Sequence, residues 1–246
     1  MTLTKKLDAI PRGNTVPGVN RTIIEYLLSL KTDFAGDVFF DAPCGEGDFL
    51  QTVKDFFPQA KTVGADVNFP SESFSHEFLP INAQKSLPLR LENKARIITC
   101  ISGVMEFDNT TLFFERLREN LDEKGLFIVT NDNLLAVRDR ILYLLFGRFR
   151  QYKLFIGDDQ PTWKTLSLHN LLRILHESGF EQIEIRYVPV KTAERLWLPF
   201  ALLIYVLQNL YLRFAEPKTS YSRKISLYPF ASLLARHYVV VCRIKI

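Results

Sequence analysis

Residues 37–47, with the sequence DVFFDAPCGEG, decide how the rest of this chain is interpreted. A short apolar run typical of a buried strand ends at Asp41, and a turn containing Gly45 and Gly47 follows it directly. Residues 49–57 then take up helical spacing. Because glycine lacks a Cβ, its backbone can turn sharply and approach a ligand closely. A strand, a glycine turn and a helix in this order predict a ligand site outside the carboxyl end of the strand.

Strand and helix patterns alternate along the chain after this turn. The further predicted strands cover residues 61–66, 77–82, 96–101 and 126–130, and a predicted helix over 110–121 ends in a turn at 122–125. Such alternation is typical of βαβ units. We therefore predict a mostly parallel sheet with helices on both faces.

The glycine turn differs from the common phosphate-binding turns. A dinucleotide fingerprint has a third glycine, where this sequence has Leu50, and the lysine and hydroxyl pair of a P-loop is absent. Glu46 and Asp48 flank the second glycine and would repel a phosphate. The turn therefore favours a ligand that carries an ammonium or sulfonium group and no phosphate. A purely structural glycine turn is the alternative interpretation.

A second acidic residue, Asp66, closes the second predicted strand. An acid at this strand tip typically accepts hydrogen bonds from ribose hydroxyls. An acid in a surface turn is the alternative interpretation. The glycine turn and the helix that precede it favour the ribose-binding role.

Together these motifs resemble the class I S-adenosylmethionine-dependent methyltransferases, over roughly residues 20–190. Residues 41–47 resemble the family's DxGxGxG-type motif with Pro43 in place of its first glycine, and residues 98–107 resemble the segment that often reads VLEH, with Phe107 in place of histidine. The resemblance implies S-adenosylmethionine as cofactor and no metal. By this resemblance we expect cofactor contacts at Asp41, Ala42, Cys44, Gly45, Gly47, Asp66, Val67, Asn82, Ala83 and Ser102.

The resemblance also implies the fold. We expect an α/β domain with a seven-stranded, mostly parallel Rossmann-like sheet, helices on both faces and a C-terminal antiparallel strand in residues 237–246. Residues 1–246 are predicted to form a single methyltransferase domain, in which residues 1–17 are a loose N-terminal arm. Residues 134–165 and 191–234 are predicted to be helical cap insertions on the acceptor side.

The net charge and the composition of the chain limit the partners and the cell compartment that we expect for it. The net charge is +4, but residues 213–246 carry seven Lys/Arg and one acid, so the rest of the chain is mildly acidic. This distribution argues against a nucleic-acid binder that is basic overall, but it leaves a local basic face open. Three scattered cysteines and the lack of a secretory signal predict a cytoplasmic protein. The longest apolar run, residues 196–207, is shorter than the roughly 20 residues that cross a bilayer, so we predict no transmembrane span.

Two apolar, Arg-bearing segments, residues 134–146 and 196–214, lie outside the cofactor motifs. Apolar, aromatic and Arg-rich composition is typical of an interfacial helix. Three interpretations stay open: packing within the fold, a peripheral membrane contact that serves a lipid-linked acceptor, and a homodimer interface.

The predicted function is methyl transfer to a small-molecule or lipid- or glycan-linked acceptor, at oxygen. A hydroxyl acceptor calls for a general base. Asp108 and Asp132 follow the fourth and fifth predicted strands, at the edge of the sheet where ligands bind, and are the candidates for catalysis or acceptor binding. A protein or RNA acceptor, and a non-catalytic cofactor-binding module, are the alternatives.

Overall fold

A computed structural model describes residues 2–81, 90–150 and 164–245. The strands are β1 (Val38–Asp41), β2 (Lys61–Asp66), β3 (Glu77–Pro80), β4 (Ala95–Cys100), β5 (Leu121–Asp132), β6 (Phe180–Tyr187) and β7 (His237–Ile244). The α-helices are α1 (Leu3–Asp8), α2 (Val19–Ser29), α3 (Asp48–Phe56), α4 (Thr110–Asn120), α5 (Val137–Phe146), α6 (Leu168–Glu177), α7 (Leu198–Phe214) and α8 (Tyr221–Leu227). Two 3-10 helices cover Thr192–Trp197 and Phe230–Leu233.

The strands form one seven-stranded sheet in the order β3-β2-β1-β4-β5-β7-β6. The pairs β1–β2, β2–β3, β1–β4 and β4–β5 are parallel. β7 runs antiparallel to β6, since the N–H of Val188 donates to the carbonyl of His237 and the N–H of Lys245 donates to that of Gly179. The predicted fold class is confirmed. The strand order reverses between β1 and β4, which makes their carboxyl ends a switch point for ligand binding.

The apolar run before the glycine turn forms a fully buried central strand. All four residues of β1 are buried, because the strand has neighbours on both edges and helices cover a parallel sheet on both faces. Phe34, Phe39 and Phe57 pack their rings against one another, with centroids 5.1 to 6.0 Å apart. This packing holds the N-terminal half of β1 in the core.

Two local predictions were wrong. Residues 122–125 were predicted to be a turn, but they lie inside β5. Ala95 pairs with Leu121 and Ile97 with Leu126, so the extra residues of β5 are accommodated as an irregularity in the β4–β5 register. The N-terminal arm, predicted to be loose, contains α1.

The chain divides into two compact units. The first, the sheet unit, consists of residues 1–131, 162–186 and 239–246, and the second, the helical unit, of residues 132–161 and 187–238. The predicted insertions overlap the helical unit. That the whole chain acts as a single domain remains a prediction.

The helical unit has its own apolar core and a buried ion-pair network. Its core is built around Val137, Ala201, Leu233 and Leu234, with Ile141, Val190, Trp197, Ile204, Tyr205 and Phe230 packed against them. The buried Glu194 lies 3.3 Å from Arg138, 3.6 Å from Arg236 and 3.7 Å from Arg150. The unit is therefore held together by packing and by charge pairs of its own.

The apolar run at residues 196–207 belongs to a longer helical stretch, while the absence of a transmembrane span stays a prediction. One continuous helical stretch of 23 residues in the described ranges, Thr192–Phe214, consists of the first 3-10 helix and α7 and is long and apolar enough to cross a membrane by length and composition. An 18-residue window of this stretch has a mean hydropathy of 1.3. The uninterrupted apolar run ends at Leu207, but Gln208 and Asn209, which are polar and uncharged, do not end the helix.

Candidate functional site

A pocket of about 330 Å³ opens at the carboxyl ends of β1, β2 and β4, all within the sheet unit. Among the predicted cofactor contacts, the residues that line it are Asp41, Cys44, Gly45, Asp66, Val67 and Ser102. The strand ends that the sequence singled out thus meet at one cavity, located where the strand order reverses.

Asp41 forms the floor of the site at the end of β1. Its side chain is buried, and its Oδ1 accepts a hydrogen bond of 2.6 Å from Oγ1 of Thr99 on the neighbouring β4. Burial raises the pKa of Asp41 to about 7, because desolvation disfavours the carboxylate; the hydrogen bond from Thr99 lowers this pKa and the charge of Asp66 raises it. Asp41 therefore gains most from a cationic ligand group placed beside it.

The glycine turn links the two acidic strand ends. Gly47 caps α3 with a φ of 82°, and a Cβ added there would lie 2.7 Å from Cε2 of Phe74. The N–H of Gly45 donates to Oδ2 of Asp66 at 2.9 Å. Because only glycine tolerates both the conformation and the close contact at position 47, this residue shapes the turn.

Backbone N–H groups hold the buried carboxylate of Asp66 in the wall of the pocket. Its Oδ2 accepts from Gly45 and its Oδ1 accepts from the N–H of Asn68 at 3.1 Å. A carboxylate has about four lone-pair sites, so each oxygen retains one for a ligand hydroxyl. The predicted ribose role is compatible with this geometry.

The turn after β4 lies directly against Pro43. A Cβ added at Gly103 would lie 2.3 Å from Cγ of Pro43, so a side chain at position 103 has no room. Ser102 beside it has a φ of 53°, a conformation that non-glycine residues seldom adopt outside functional sites and tight turns. The proline that departs from the family's glycine pattern is thus accommodated by a glycine on the opposite loop.

The N-terminal arm contributes a wall of the pocket that sequence reasoning missed. Gly13, Asn14, Thr15 and Asn20 line the cavity, and Oγ1 of Thr15 lies 2.5 Å from Oγ of Ser102. Asn20 donates from Nδ2 to the carbonyls of Pro11 and Arg12. The only signal for this wall was the polar cluster at residues 13–15.

Asn20 also brings an unpartnered acceptor to the site. Its side chain is buried, and its Oδ1 has no hydrogen-bond partner in the described part of the chain. A buried polar atom without a partner is costly unless a ligand satisfies it. Asn20 is therefore placed to accept a hydrogen bond from a ligand N–H group.

The charged residues that line the described pocket are all acidic. Among the described residues that line it, five are acidic and none is Lys, Arg or His; the acids are Asp41, Glu46, Asp48, Asp66 and Glu106. The N–H of Ser71 donates to Glu46, and this hydrogen bond lowers the pKa of Glu46. A cavity of this kind attracts cations and repels phosphates.

Other predicted residues lie elsewhere. Ala42 is fully buried and does not line the described pocket, and neither does Gly47. Asn82 and Ala83 lie outside the described residues. Their roles as cofactor contacts remain predictions.

Neither candidate catalytic aspartate lines the described pocket. Asp108 is exposed and lies 3.7 Å from Nζ of Lys164, which also donates to the carbonyls of Phe107 and Asp108. Asp132, in the helical unit, lies 3.3 Å from Nδ1 of His237. Burial alone would raise the pKa of Asp132, but this histidine and nearby arginines lower it overall. Their catalytic role stays a prediction.

The sequence matches no protein-family model and no curated protein. Solved structures do match. An S-adenosylmethionine-dependent methyltransferase from Clostridium acetobutylicum ATCC 824 is 13% identical, with a TM-score of 0.55 over 99% of this chain and 98% of that one. The chain has the class I methyltransferase fold.

Two further structures share the class I methyltransferase fold. Magnesium protoporphyrin IX methyltransferase from Synechocystis PCC 6803, with bound SAH, is 10% identical, with a TM-score of 0.53 over 92% of this chain and 82% of that one. The [4+2]-cyclase SpnF is 14% identical, with a TM-score of 0.52 over the same shares of the two chains. A cyclase among the neighbours means that the fold alone does not fix the reaction.

Proposed function

We propose that this protein is an S-adenosylmethionine-dependent methyltransferase that methylates an oxygen atom of a small-molecule or lipid- or glycan-linked acceptor. The observation that carries the proposal is the pocket itself: five acidic side chains and no basic one among its described lining residues, at the switch point of a class I methyltransferase fold. This charge pattern suits a ligand that carries an ammonium and a sulfonium and lacks phosphates.

The residues of the pocket fit the parts of this cofactor. Asp66 would accept hydrogen bonds from the ribose hydroxyls through its two remaining lone-pair sites. Oδ1 of Asn20 would accept from the ammonium group, which satisfies the unpartnered buried atom, and Asp41 would balance the cationic charge. When bound, the cofactor supplies an electrophilic methyl group.

The protein's own contribution to transfer is alignment and proton uptake. Methyl transfer needs the acceptor in line with the methyl group, so most of the rate gain comes from positioning. A hydroxyl must also lose a proton, and Glu106 lines the pocket on the turn after β4. We assign Glu106 to hold the acceptor hydroxyl and take up its proton, ahead of Asp108 and Asp132, which do not line the described pocket.

An oxygen acceptor is also supported by the turn after β4 itself. Residues 101–107 have the sequence ISGVMEF, without the NPPY-type motif that grips the amine of a nucleic-acid base. This turn is tied to Lys164, whose N–H donates to the carbonyl of Met105 at 2.9 Å and whose Nζ donates to the carbonyl of Phe107 at 2.9 Å. Glu106 is therefore held between two anchored carbonyls.

Calorimetry with S-adenosylhomocysteine tests the cofactor half of the proposal. We expect the wild-type protein to bind it and to show no binding of NAD⁺ or ATP, whose phosphates the acidic pocket repels. Absence of S-adenosylhomocysteine binding up to millimolar ligand would overturn the assignment, and so would preferential binding of NAD⁺.

Transfer of a labelled methyl group tests the acceptor half. The probe is methyl-labelled S-adenosylmethionine, supplied with a hydroxyl-bearing small-molecule and lipid extract, a protein extract or RNA. We expect label in the first fraction, and we expect Glu106→Gln to lose most of that transfer while it keeps its affinity for S-adenosylhomocysteine. Glu119→Gln, on the exposed face of α4, is the matched control. Label in protein or RNA, or cofactor binding without transfer to any fraction, would overturn the acceptor assignment.

A further inference from the structure

Helix α7 has its polarity reversed relative to a surface helix of a soluble protein. Nine apolar residues of α7 are between 41% and 76% exposed: Leu198, Phe200, Leu202, Leu203, Val206, Leu207, Leu210, Tyr211 and Phe214. A contiguous apolar face that extends along a whole helix is typical of an interaction surface.

The polar residues of α7 point into the helical unit instead. Gln208 accepts a hydrogen bond from Arg140 at 3.2 Å and donates to the carbonyl of Tyr228 at 3.1 Å. Asn209 accepts from the hydroxyl of Tyr221 at 2.7 Å. Because these amides face protein and the apolar side chains face outward, only one side of the helix is available to a partner.

The 3-10 helix that precedes α7 is also held in the helical unit, by ion pairs. Glu194, in the 3-10 helix that leads into α7, is buried among Arg138, Arg150 and Arg236. A charge network of this kind cannot enter the hydrocarbon core of a bilayer at an acceptable cost. The helix is therefore suited to lie in the plane of a membrane with one face immersed, and not to cross it.

The charges around this face select the partner. In the described part of the helical unit, Lys and Arg number eleven against four Asp and Glu, a net charge of +7. Four exposed cations, Arg195, Arg213, Lys218 and Arg223, stand against one exposed acid, Glu216. A second copy of the chain would bring like charges together, whereas anionic headgroups would complement them.

A second apolar patch of the same unit has the same character. Tyr143, Leu144, Leu145 and Phe146, the last four residues of α5, are between 55% and 82% exposed. Arg148 follows them after the Gly147 cap. Apolar side chains bordered by arginines thus occur twice in the helical unit. This composition is typical of a surface that binds at the boundary between lipid headgroups and acyl chains.

We propose that the helical unit binds the surface of an anionic membrane, with the exposed face of α7 immersed between the headgroups and the cationic side chains beside them. The three free cysteines suit a protein at the cytoplasmic side of that membrane, where thiols stay reduced. Membrane binding does not depend on the proposed function. The corollary that the methyl acceptor is lipid-linked does rest on the proposed methyltransferase function.

Co-sedimentation of the full chain with vesicles tests the proposal. The probes are vesicles of phosphatidylcholine alone and of phosphatidylcholine mixed with phosphatidylglycerol, at low and high salt. We expect sedimentation with the anionic vesicles, weakened by salt, and a loss of about tenfold or more in partitioning for Leu203→Glu combined with Leu207→Glu. Ile183→Glu, at an exposed apolar residue of β6 in the sheet unit, is the matched control and should bind like wild type.

Further measurements separate the alternatives. Carbonate extraction at high pH should release the protein, and resistance to it would overturn the in-plane arrangement in favour of a spanning one. Sedimentation velocity without vesicles should show a monomer; a dimer abolished by the double variant, with no vesicle binding by the wild type, would assign the face to self-association. Calorimetry with S-adenosylhomocysteine on the same preparations reports on the cofactor site. Loss of membrane binding is therefore distinguishable from loss of cofactor binding.

Discussion

Thr99 donates a hydrogen bond of 2.6 Å to Asp41 across the β1–β4 pair, and both side chains are buried beneath the candidate cofactor site. The bond favours the ionised carboxylate, but burial outweighs it and raises the pKa of Asp41 to about 7. The charge state of the pocket floor therefore changes near neutral pH.

Ligand affinity should depend on pH through this group. The ammonium group of S-adenosylhomocysteine favours the ionised carboxylate, so we expect affinity for this ligand to fall by up to about tenfold for each pH unit below about 7, and to level off above it. Calorimetry between about pH 5.5 and about pH 8 measures this. Asp41→Asn should flatten the profile; an unchanged slope in that variant would assign the titration to another group.

The same residue should lower stability at high pH. The pKa of Asp41 is raised in the folded state, so the folded protein binds more protons than the unfolded chain between about pH 4 and about pH 7, and stability falls as pH rises through this window. Asp41→Asn cannot ionise. We compare the free energy of unfolding of Asp41→Asn with that of the wild type in urea titrations. Between about pH 5 and about pH 8, this difference should shift in favour of the variant by roughly 2–3 kcal/mol. Asp33→Asn, at an exposed residue, is the control variant. A constant difference between Asp41→Asn and the wild type would contradict the prediction.

Removing the carboxylate of Asp66 should weaken cofactor binding. We expect Asp66→Ala to cost roughly 1–3 kcal/mol of binding free energy for S-adenosylhomocysteine, the scale of leaving hydroxyl partners unpaired. Asp33→Ala is a matched control, since Asp33 also accepts a backbone N–H but does not line the pocket. Equal affinities for the two variants would exclude the ribose role.

The contact between Pro43 and Gly103 should appear as energetic coupling. Gly103→Ala places a Cβ 2.3 Å from Cγ of Pro43, and overpacking of this kind costs roughly 1–3 kcal/mol of stability. Combining it with Pro43→Gly removes the clash. In a double-mutant cycle by urea denaturation, the double variant should be more stable than the sum of the single effects predicts. Additive effects would mean that the loops move apart without strain.

The sequence predicted the sheet and the strand-end half of the site for a physical reason. Asp41, Gly45 and Asp66 follow buried strands, and the carboxyl ends of parallel strands converge on one edge. Thr15 and Asn20 were missed because their place in the pocket depends on tertiary contacts with Ser102 and with the chain at Pro11. No local pattern encodes such contacts.

The uninterrupted apolar run at residues 196–207 understates the length of the helix that contains it, for a related reason. Gln208 and Asn209 interrupt the apolar run in sequence, and only the structure shows that both amides are satisfied by Arg140, Tyr228 and Tyr221. The turn expected at residues 122–125 failed because β-sheet pairing with β4 extends the strand through them. In each case tertiary hydrogen bonding overrides the local pattern.

The close approach of Pro43 to Gly103 also constrains how this protein can evolve. A side chain at position 103 has no space while the proline is present, but replacement of Pro43 by a smaller residue opens that space. Substitutions at the two positions are therefore tolerated in one order and selected against in the other. Among descendants of this chain, residues larger than glycine at position 103 should occur only where the proline has already been lost.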